Sequence, residues 1–140
     1  MIENKIIQRV AAKAVIVVNG KVLILHPSKI DSNRKWHIPG GRRDKLNEEL
    51  ENTAKREVFE ETKIDLSKFG GKVFMVSEWK ANNNGENVQI LGVFFRFDLT
   101  HTPEVILSNE HDEYYWVDSN TVSEFNVNKE IPKILNILNI

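Results

Sequence analysis

The stretch at positions 39–64 reads PGGRRDKLNEELENTAKREVFEETKI, and both the fold and the candidate site are predicted from it. Two glycines follow the proline, a charged loop follows the glycines, and a segment with helical periodicity completes the stretch. Leu50, Ala54 and Val58 recur at intervals of four residues, which predicts an apolar stripe along one helix face. The stretch is therefore predicted to place a glycine pair, a charged loop and an amphipathic helix one after another.

The ends of this helix are predicted from capping chemistry. Asn47 can accept a hydrogen bond from a free N–H of the first turn, so the helix is expected to begin directly after it. Glu48 and Glu49 then fall in the first turn, where negative charge suits the helix dipole. The helix is expected to end near Thr62.

Three carboxylates within five positions of this helix are the first sign of a functional site. Glu57 precedes Glu60 and Glu61 by three and four positions, so the three side chains share a helix face. Like charges at this spacing destabilise an isolated helix by roughly 0.2–0.5 kcal/mol per pair, and only Arg56 is close enough to offset them. A divalent cation such as Mg²⁺ or Mn²⁺ is the better partner, because these ions prefer oxygen ligands. On spacing alone, an ordinary acidic helix face remains the alternative.

The residues before the charged loop can also contact a ligand. Gly40 and Gly41 allow the backbone to approach a ligand closely and to adopt positive φ angles. A carbonyl or amide group there could reach the same cation or a phosphate. Arg42 and Arg43 come next, and arginine suits the geometry of phosphate, although solvated side chains explain them equally well.

The stretch resembles the Nudix box, the signature of the Nudix hydrolase family, which is written G-x5-E-x7-R-E-U-x-E-E-x-G-U with U an aliphatic residue. The matching residues are Gly41, Glu48, Arg56, Glu57, Val58, Glu60, Glu61 and Ile64. Two positions depart from the signature. Six residues rather than five separate Gly41 from Glu48, and Lys63 stands where the final glycine is expected. That glycine is a helix-terminating position that favours positive φ.

The resemblance implies an α/β (α+β) fold, a Nudix-type α/β/α sandwich with a central mixed β-sheet, formed by residues 1–140 as a single Nudix hydrolase domain. It implies a pyrophosphohydrolase that uses Mg²⁺, with Mn²⁺ able to substitute, and that cleaves a diphosphate linkage in a nucleoside diphosphate linked to another moiety. Candidate substrates are a nucleoside triphosphate, a nucleotide sugar such as ADP-ribose, a dinucleoside polyphosphate or a capped RNA 5′ end. The alternatives are a catalytically silent nucleotide-binding sensor of this fold and a non-hydrolytic enzyme such as an isoprenoid diphosphate isomerase.

The resemblance also assigns roles to individual residues. The expected metal ligands are the backbone carbonyl of Gly40 and the carboxylates of Glu57, Glu60 and Glu61. The expected catalytic residues are Glu57, Glu60, Arg56 and Glu110. Arg56 is expected to hold a catalytic carboxylate through a charge-assisted hydrogen bond. Glu110 is expected to act as a ligand or general base from a later loop, with Glu113 as the alternative.

The moiety beyond the diphosphate needs a stacking surface and a few polar groups. The expected substrate-binding residues are Trp36, Arg42, Arg43 and Trp79, and Tyr114 and Tyr115 are further candidates. Trp79 lies fifteen residues past the box, in a region that shapes specificity in this family. Each aromatic residue is explained equally well by a place in the core or in a strand pair. His37 and His111 are interpreted as structural rather than catalytic.

The composition restricts the class of protein. The chain has 140 residues, of which 41% are hydrophobic and 28% charged, as expected for one globular domain. A formal net charge of −1 argues against general nucleic-acid binding, and the absence of cysteine excludes disulfides and thiolate chemistry. No signal peptide or membrane-spanning stretch is visible, so a cytoplasmic location is expected. The sequence leaves open whether the protein is a homodimer.

Periodicity predicts the remaining elements. Strands are expected over residues 8–18, 21–25, 72–80, 88–99 and 114–117, and loops or turns over residues 27–34 and 82–85. Asn19-Gly20 is a strong hairpin signal. Asp118 or Ser119 is expected to cap a short helix that runs through Glu124. A C-terminal helix is predicted from apolar residues at helical spacing, namely Ile131, Ile134, Leu135 and Leu138.

Overall fold

The computed structural model describes residues 5–29, 34–83 and 85–140. The elements in chain order are β1 (Ile7–Val18), β2 (Lys21–Pro27), β3 (Gly40–Arg42), α1 (Leu50–Thr62), β4 (Lys72–Asn83), β5 (Glu86–Asp98), β6 (His111–Val117), a 3-10 turn (Val122–Glu124) and α2 (Glu130–Leu138). Residues 30–33 of one predicted loop and Asn84 of the predicted turn lie outside the described residues. Neither α-helix of the described part is long and apolar enough to cross a membrane.

A single mixed sheet forms the centre of the molecule. Its strand order is β4-β5-β1-β2-β6, and the short strand β3 pairs with β1. β1 and β5 run parallel, whereas the other strand pairs are antiparallel. Asn19 and Gly20 connect β1 and β2 with φ angles of 52° and 72°, so the predicted hairpin is confirmed.

The two faces of the sheet carry different helices, because successive residues of a strand point to opposite sides. On β1, Ala14 and Ile16 belong to the buried cluster that contains Val58 of α1. Val15, between them, belongs to the cluster that contains Ile134 of α2. Burial of a large aliphatic side chain contributes about 1.5–3 kcal/mol, so both faces stabilise the sheet. The expected α/β/α sandwich with a central mixed sheet is confirmed.

The predicted start of α1 is wrong by two residues. The helix begins at Leu50, and Glu49 takes the N-cap position in an extended conformation without a side-chain cap bond. Asn47 lies in the left-handed region with φ at 65°, so it precedes the helix and does not cap it. Glu48 is not in the first turn either, because its carboxylate accepts a hydrogen bond of 2.8 Å from the hydroxyl of Thr53. That contact holds the chain in an extended conformation immediately before the helix.

The C-terminal third also differs from the prediction in detail. The short helix predicted to follow Asp118 is a single 3-10 turn, Val122–Glu124, because Asp118 Oδ1 accepts the amide N–H of Asn120 at 2.9 Å and forms a local turn. β6 begins at His111 and not at Tyr114, so the preceding loop is shorter than expected. The predicted C-terminal helix is confirmed as α2.

Lys63 ends α1 in the conformation that the signature glycine would adopt. Its φ angle is 63°, and its amide N–H donates to the carbonyl of Phe59 at 2.9 Å. A left-handed conformation costs an L-residue roughly 1–2 kcal/mol. The ammonium group of Lys63 lies 5.1 Å from the centre of the Phe59 ring, a cation–π contact worth about 0.5–1 kcal/mol at an exposed site. The contact offsets part of the backbone cost.

We expect Lys63→Gly to raise the free energy of unfolding by about 0.5–1 kcal/mol, because glycine removes the left-handed cost while the cation–π contact is lost. Urea unfolding measures this change. Lys68→Gly is the control, since Lys68 is also exposed but is not among the residues with positive φ. Equal destabilisation by both substitutions would contradict the prediction.

Candidate active site

The candidate site forms where α1 lies against β3. The amide N–H of Gly40 donates to Glu61 Oε1 at 2.8 Å. Gly40 has φ at 141°, and a Cβ atom there would clash with the carbonyl of Ala12. A Cβ atom at Gly41 would fall 2.5 Å from the carboxylate of Glu57. The two glycines therefore allow the sheet backbone to approach two helix carboxylates directly.

Glu61 is the most buried carboxylate of the site, with 4% of its surface exposed. Burial raises its pKa to about 8, against the lowering effect of the Lys13 ammonium and the Gly40 N–H. The charges of Glu57 and Glu110 raise this pKa further. Burial also raises the pKa of Glu57, although Arg56 opposes the shift. A cation bound among these carboxylates would relieve the repulsion between them.

Glu110 lies with Glu61, whereas Glu113 does not. Ligand atoms of Glu61, Glu110 and His111 all lie within 4.8 Å of one another. Glu113 belongs to a separate group with His26, whose Nδ1 is 4.0 Å from its carboxylate. Glu61 and Glu110 offer the carboxylate oxygens that Mg²⁺ and Mn²⁺ prefer, and His111 adds an imidazole nitrogen, so the residues present fit a divalent cation.

Arg56 holds three glutamates in place. Its Nε and Nη2 atoms donate to the two carboxylate oxygens of Glu48 at 2.8 and 2.9 Å. Its Nη1 atom lies 2.9 Å from Glu57 Oε1 and 3.3 Å from Glu60 Oε1. The hydrogen bonds from Arg56 lower the pKa of Glu48 to about 2, and the same bonds raise the pKa of Arg56. One guanidinium thus orients Glu57 and Glu60, while Glu48 anchors the guanidinium.

Two histidines, His37 and His111, lie at the side of the site next to Glu61. Nδ1 of His37 lies 3.0 Å from the carbonyl oxygen of Ile38, which can only accept, so His37 carries its proton on Nδ1. Its Nε2 then accepts from Nε2 of His111 at 2.9 Å, and Nδ1 of His111 is buried without a partner among the described residues. Burial lowers the pKa of His37 to about 3 and that of His111 to about 4. Both rings are neutral near pH 7.

A cleft of about 390 Å³ is lined in part by His37, which bonds to His111 of the Glu61 group. Trp79, one of the two predicted aromatic contacts, lines this cleft. Trp36 is placed elsewhere: its ring packs against His26 and Phe125, with ring centres 5.1 and 5.0 Å apart. Trp79 therefore lines the cleft, whereas Trp36 packs against neighbouring rings.

The other predicted substrate contacts lie on exposed surface outside the cleft. Arg43 is exposed, and its Nη1 atom lies 3.5 Å from the backbone carbonyl of Glu48. Within residues 5–29, 34–83 and 85–140, the exposed side chain of Arg42 forms no hydrogen bond or ion pair. Tyr114 and Tyr115 are each 43% exposed on β6, and Tyr115 packs against Phe125.

Lys13 is a site residue that the sequence analysis did not single out. Its ammonium donates to the carbonyl of Ile38 at 3.2 Å, and its half-buried side chain lines the cleft. Burial lowers its pKa, while the charges of Glu61, Glu130 and Glu57 raise it. Lys13 is the only charged residue of the apolar run 10–18, and that was the available signal.

Solved structures with the same fold are similar to this chain along almost its whole length. The Ap4A hydrolase of C. elegans in a binary complex is 20% identical, with 94% of this chain and 95% of that chain covered and a TM-score of 0.70. The dihydroneopterin triphosphate pyrophosphohydrolase of E. coli is 21% identical, with 94% of each chain covered and a TM-score of 0.71. The NUDIX domain of Shewanella oneidensis NrtR complexed with ADP-ribose is 17% identical, with 92% and 84% covered and a TM-score of 0.70.

At these identities the structures show a common fold. A comparison with curated proteins finds no significant match. The family model for the NUDIX domain matches residues 8–136, which is nearly the whole sequence. The chain therefore belongs to the Nudix hydrolase family, which confirms the expected Nudix-type pyrophosphohydrolase.

Proposed function

We propose that the protein hydrolyses the diphosphate linkage of a nucleoside diphosphate joined to another moiety, with Mg²⁺ as its metal ion and Mn²⁺ able to substitute. The observation that carries the proposal is the position of the Glu61 carboxylate, which is bonded to the Gly40 amide and close to Glu110. Ap4A, dihydroneopterin triphosphate and ADP-ribose, named for the three similar structures, all contain a diphosphate linkage.

The proposed metal ligands are the carbonyl of Gly40 and the carboxylates of Glu57, Glu60 and Glu61. A bound divalent cation neutralises charge on the diphosphate oxygens and lowers the pKa of bound water. The all-oxygen donor set supports Mg²⁺ or Mn²⁺. A cytoplasmic location and a homodimer stay predictions.

The remaining residues orient groups or move a proton. Arg56 is proposed as a positioning residue, because its guanidinium bonds to Glu57 and Glu60 at one edge and is anchored by Glu48 at another. Glu110 is exposed directly before β6 and near Glu61, a place that suits a general base or a further ligand. Trp79 is proposed to stack against the moiety beyond the diphosphate.

We expect Glu57→Gln and Glu61→Gln each to reduce kcat/KM by at least about a hundredfold, because each removes a carboxylate charge proposed to hold the metal ion. The measurement is a panel of nucleotide diphosphate derivatives assayed with Mg²⁺ and with Mn²⁺. Glu113→Gln is the matched control, since that glutamate lies outside the Glu61 cluster. Near-normal turnover by both variants at saturating metal would contradict the assignment. A panel without any cleavage, in which a nucleotide still raises the melting temperature, would favour the sensor alternative.

We expect Arg56→Lys to weaken Mn²⁺ binding by about 10–100-fold while the fold is kept, because lysine retains the charge but cannot hold three carboxylates at once. Calorimetric titration of Mn²⁺ measures this affinity without turnover. Lys55→Met is the control, because Lys55 is adjacent on α1 and pairs only with Glu51 among the described residues. Unchanged Mn²⁺ affinity in Arg56→Lys would show that the guanidinium does not orient the metal ligands.

We expect the Glu61→Gln variant to melt at a higher temperature than the wild type in EDTA. The difference between the two melting temperatures is expected to increase as the pH rises. Burial raises the pKa of Glu61 from 4.5 to about 8 in the folded state. A raised pKa contributes stability that is complete below 4.5 and is lost as pH rises towards 8, whereas glutamine does not titrate. Thermal unfolding between these pH values measures the gap, and a gap independent of pH would contradict the prediction. Mg²⁺ should raise the melting temperature of the wild type more than that of the variant.

A further inference from the structure

The cleft next to the carboxylates carries more positive charge than the proposed hydrolysis requires. Four lysines line it, namely Lys13, Lys35, Lys80 and Lys129. One carboxylate, that of Glu130, lines it as well. The cleft therefore has a surplus of cations, although the whole chain carries a net charge of −1.

The four lysines of the cleft form no close contact with a carboxylate among the described residues, and the charges of Glu61, Glu130 and Glu57 act on Lys13 from beyond ion-pair distance. Within the described ranges, no ion pair within 4.0 Å involves any lysine that lines the cleft. Lys13 donates to the carbonyl of Ile38, and Lys129 donates to the carbonyl of Glu78, so both bond to neutral oxygens. Glu130 is buried, and its Oε1 accepts from the Ser77 hydroxyl at 3.0 Å. An ammonium has three donors, so each lysine keeps donors for a ligand.

Lys13 links the carboxylate site to the far part of the cleft. It pairs with Gly40 in the sheet, and its ammonium lies 5.9 Å from the centre of the Trp79 ring. Of the carboxylates whose charge raises the pKa of Lys13, Glu61 has the largest effect. A ligand that extends from the carboxylates to Trp79 therefore passes this ammonium.

We propose that the cleft binds the moiety attached to the scissile diphosphate and selects one that carries a phosphate or carboxylate group of its own. The proposal rests on the proposed function for the diphosphate itself. A neutral base or sugar would stack on Trp79 and leave Lys80 and Lys129 without a counter-charge. A moiety with an added anionic group would stack in the same way and also pair with these two lysines, which strengthens binding electrostatically.

The test compares ligands that differ by one anionic group. UDP-glucose and UDP-glucuronate differ by a carboxylate, and ADP-ribose and its 2′-phosphate differ by a phosphate. Dissociation constants are measured by calorimetry in EDTA, so turnover does not contribute. All four ligands carry the charges of the diphosphate, so the anionic member of a pair means the ligand with the added group and the neutral member means the ligand without it. We expect the anionic member of at least one pair to bind about tenfold tighter than the neutral member. The pair that shows the preference identifies carboxylate or phosphate as the recognised group.

Two double variants locate the preference. The double variant Lys80→Met/Lys129→Met is expected to reduce the preference for the anionic member from about tenfold to less than about threefold. Its affinity for the neutral member is expected to change little. Lys72→Met with Lys133→Met is the matched control. Lys72 lies on the same strand as Lys80, and Lys133 follows Lys129 by four residues, yet neither lines the cleft. The control is expected to keep the tenfold preference.

The outcomes separate this proposal from the proposed hydrolysis. Equal affinities within both pairs, tighter binding of the neutral members, or a preference that survives in the Lys80/Lys129 variant would overturn the selectivity of the cleft. A preference that is lost in this variant, together with no hydrolysis in Mg²⁺ or Mn²⁺, would keep the cleft assignment and overturn the hydrolase. Hydrolysis of neutral and anionic members at equal kcat/KM would keep the hydrolase and overturn the selectivity.

Discussion

The hydrogen bond from the Gly40 amide to the Glu61 carboxylate joins the sheet to the last turn of α1. A hydrogen bond within a protein contributes about 0.5–1.5 kcal/mol, and a buried donor or acceptor left without a partner costs about 1–3 kcal/mol. It forms only because Gly40 can adopt φ at 141° and lie against the carbonyl of Ala12 without a side chain. Strand β3 and the acidic helix are therefore joined directly at the site.

The site concentrates negative charge that the protein itself neutralises only in part. Arg56 bonds to three glutamates, yet it contacts neither Glu61 nor Glu110. Glu61 is left in a buried position with its pKa raised to about 8, which is unfavourable for the folded protein at neutral pH. Sites that bind ligands commonly keep such unfavourable groups, because the ligand then relieves them. Here the group that would relieve the repulsion is a divalent cation.

The negative charge of the α1 carboxylates and the cleft lie on opposite faces of the sheet. The side of β1 that carries Val15 also presents Lys13, two residues earlier, because strand residues alternate between the two faces. That face is covered by α2, whose first residue, Glu130, lines the cleft. The opposite face carries α1 and its carboxylates. A substrate that reaches both regions therefore meets negative charge at one end and positive charge at the other.

The amino-acid pattern alone was sufficient for the hairpin, both α-helices, the residues of the acidic helix face and five of the six strands, but it did not predict β3. Those features depend on neighbours within about four positions, and periodicity reports such neighbours directly. The local pattern did not predict the true start of α1. The side chain of Glu48 bonds to Thr53 and Arg56, and Glu48 therefore lies before the first turn.

The partners across the sheet were decided by the tertiary structure. Glu110 meets Glu61, His37 meets His111, and Lys13 enters the cleft only because distant strands become neighbours. Local spacing determines which residues share a face of one element, whereas the packing of helices on the sheet determines which faces meet. Burial then sets the pKa of each carboxylate and imidazole, and burial is a property of that packing.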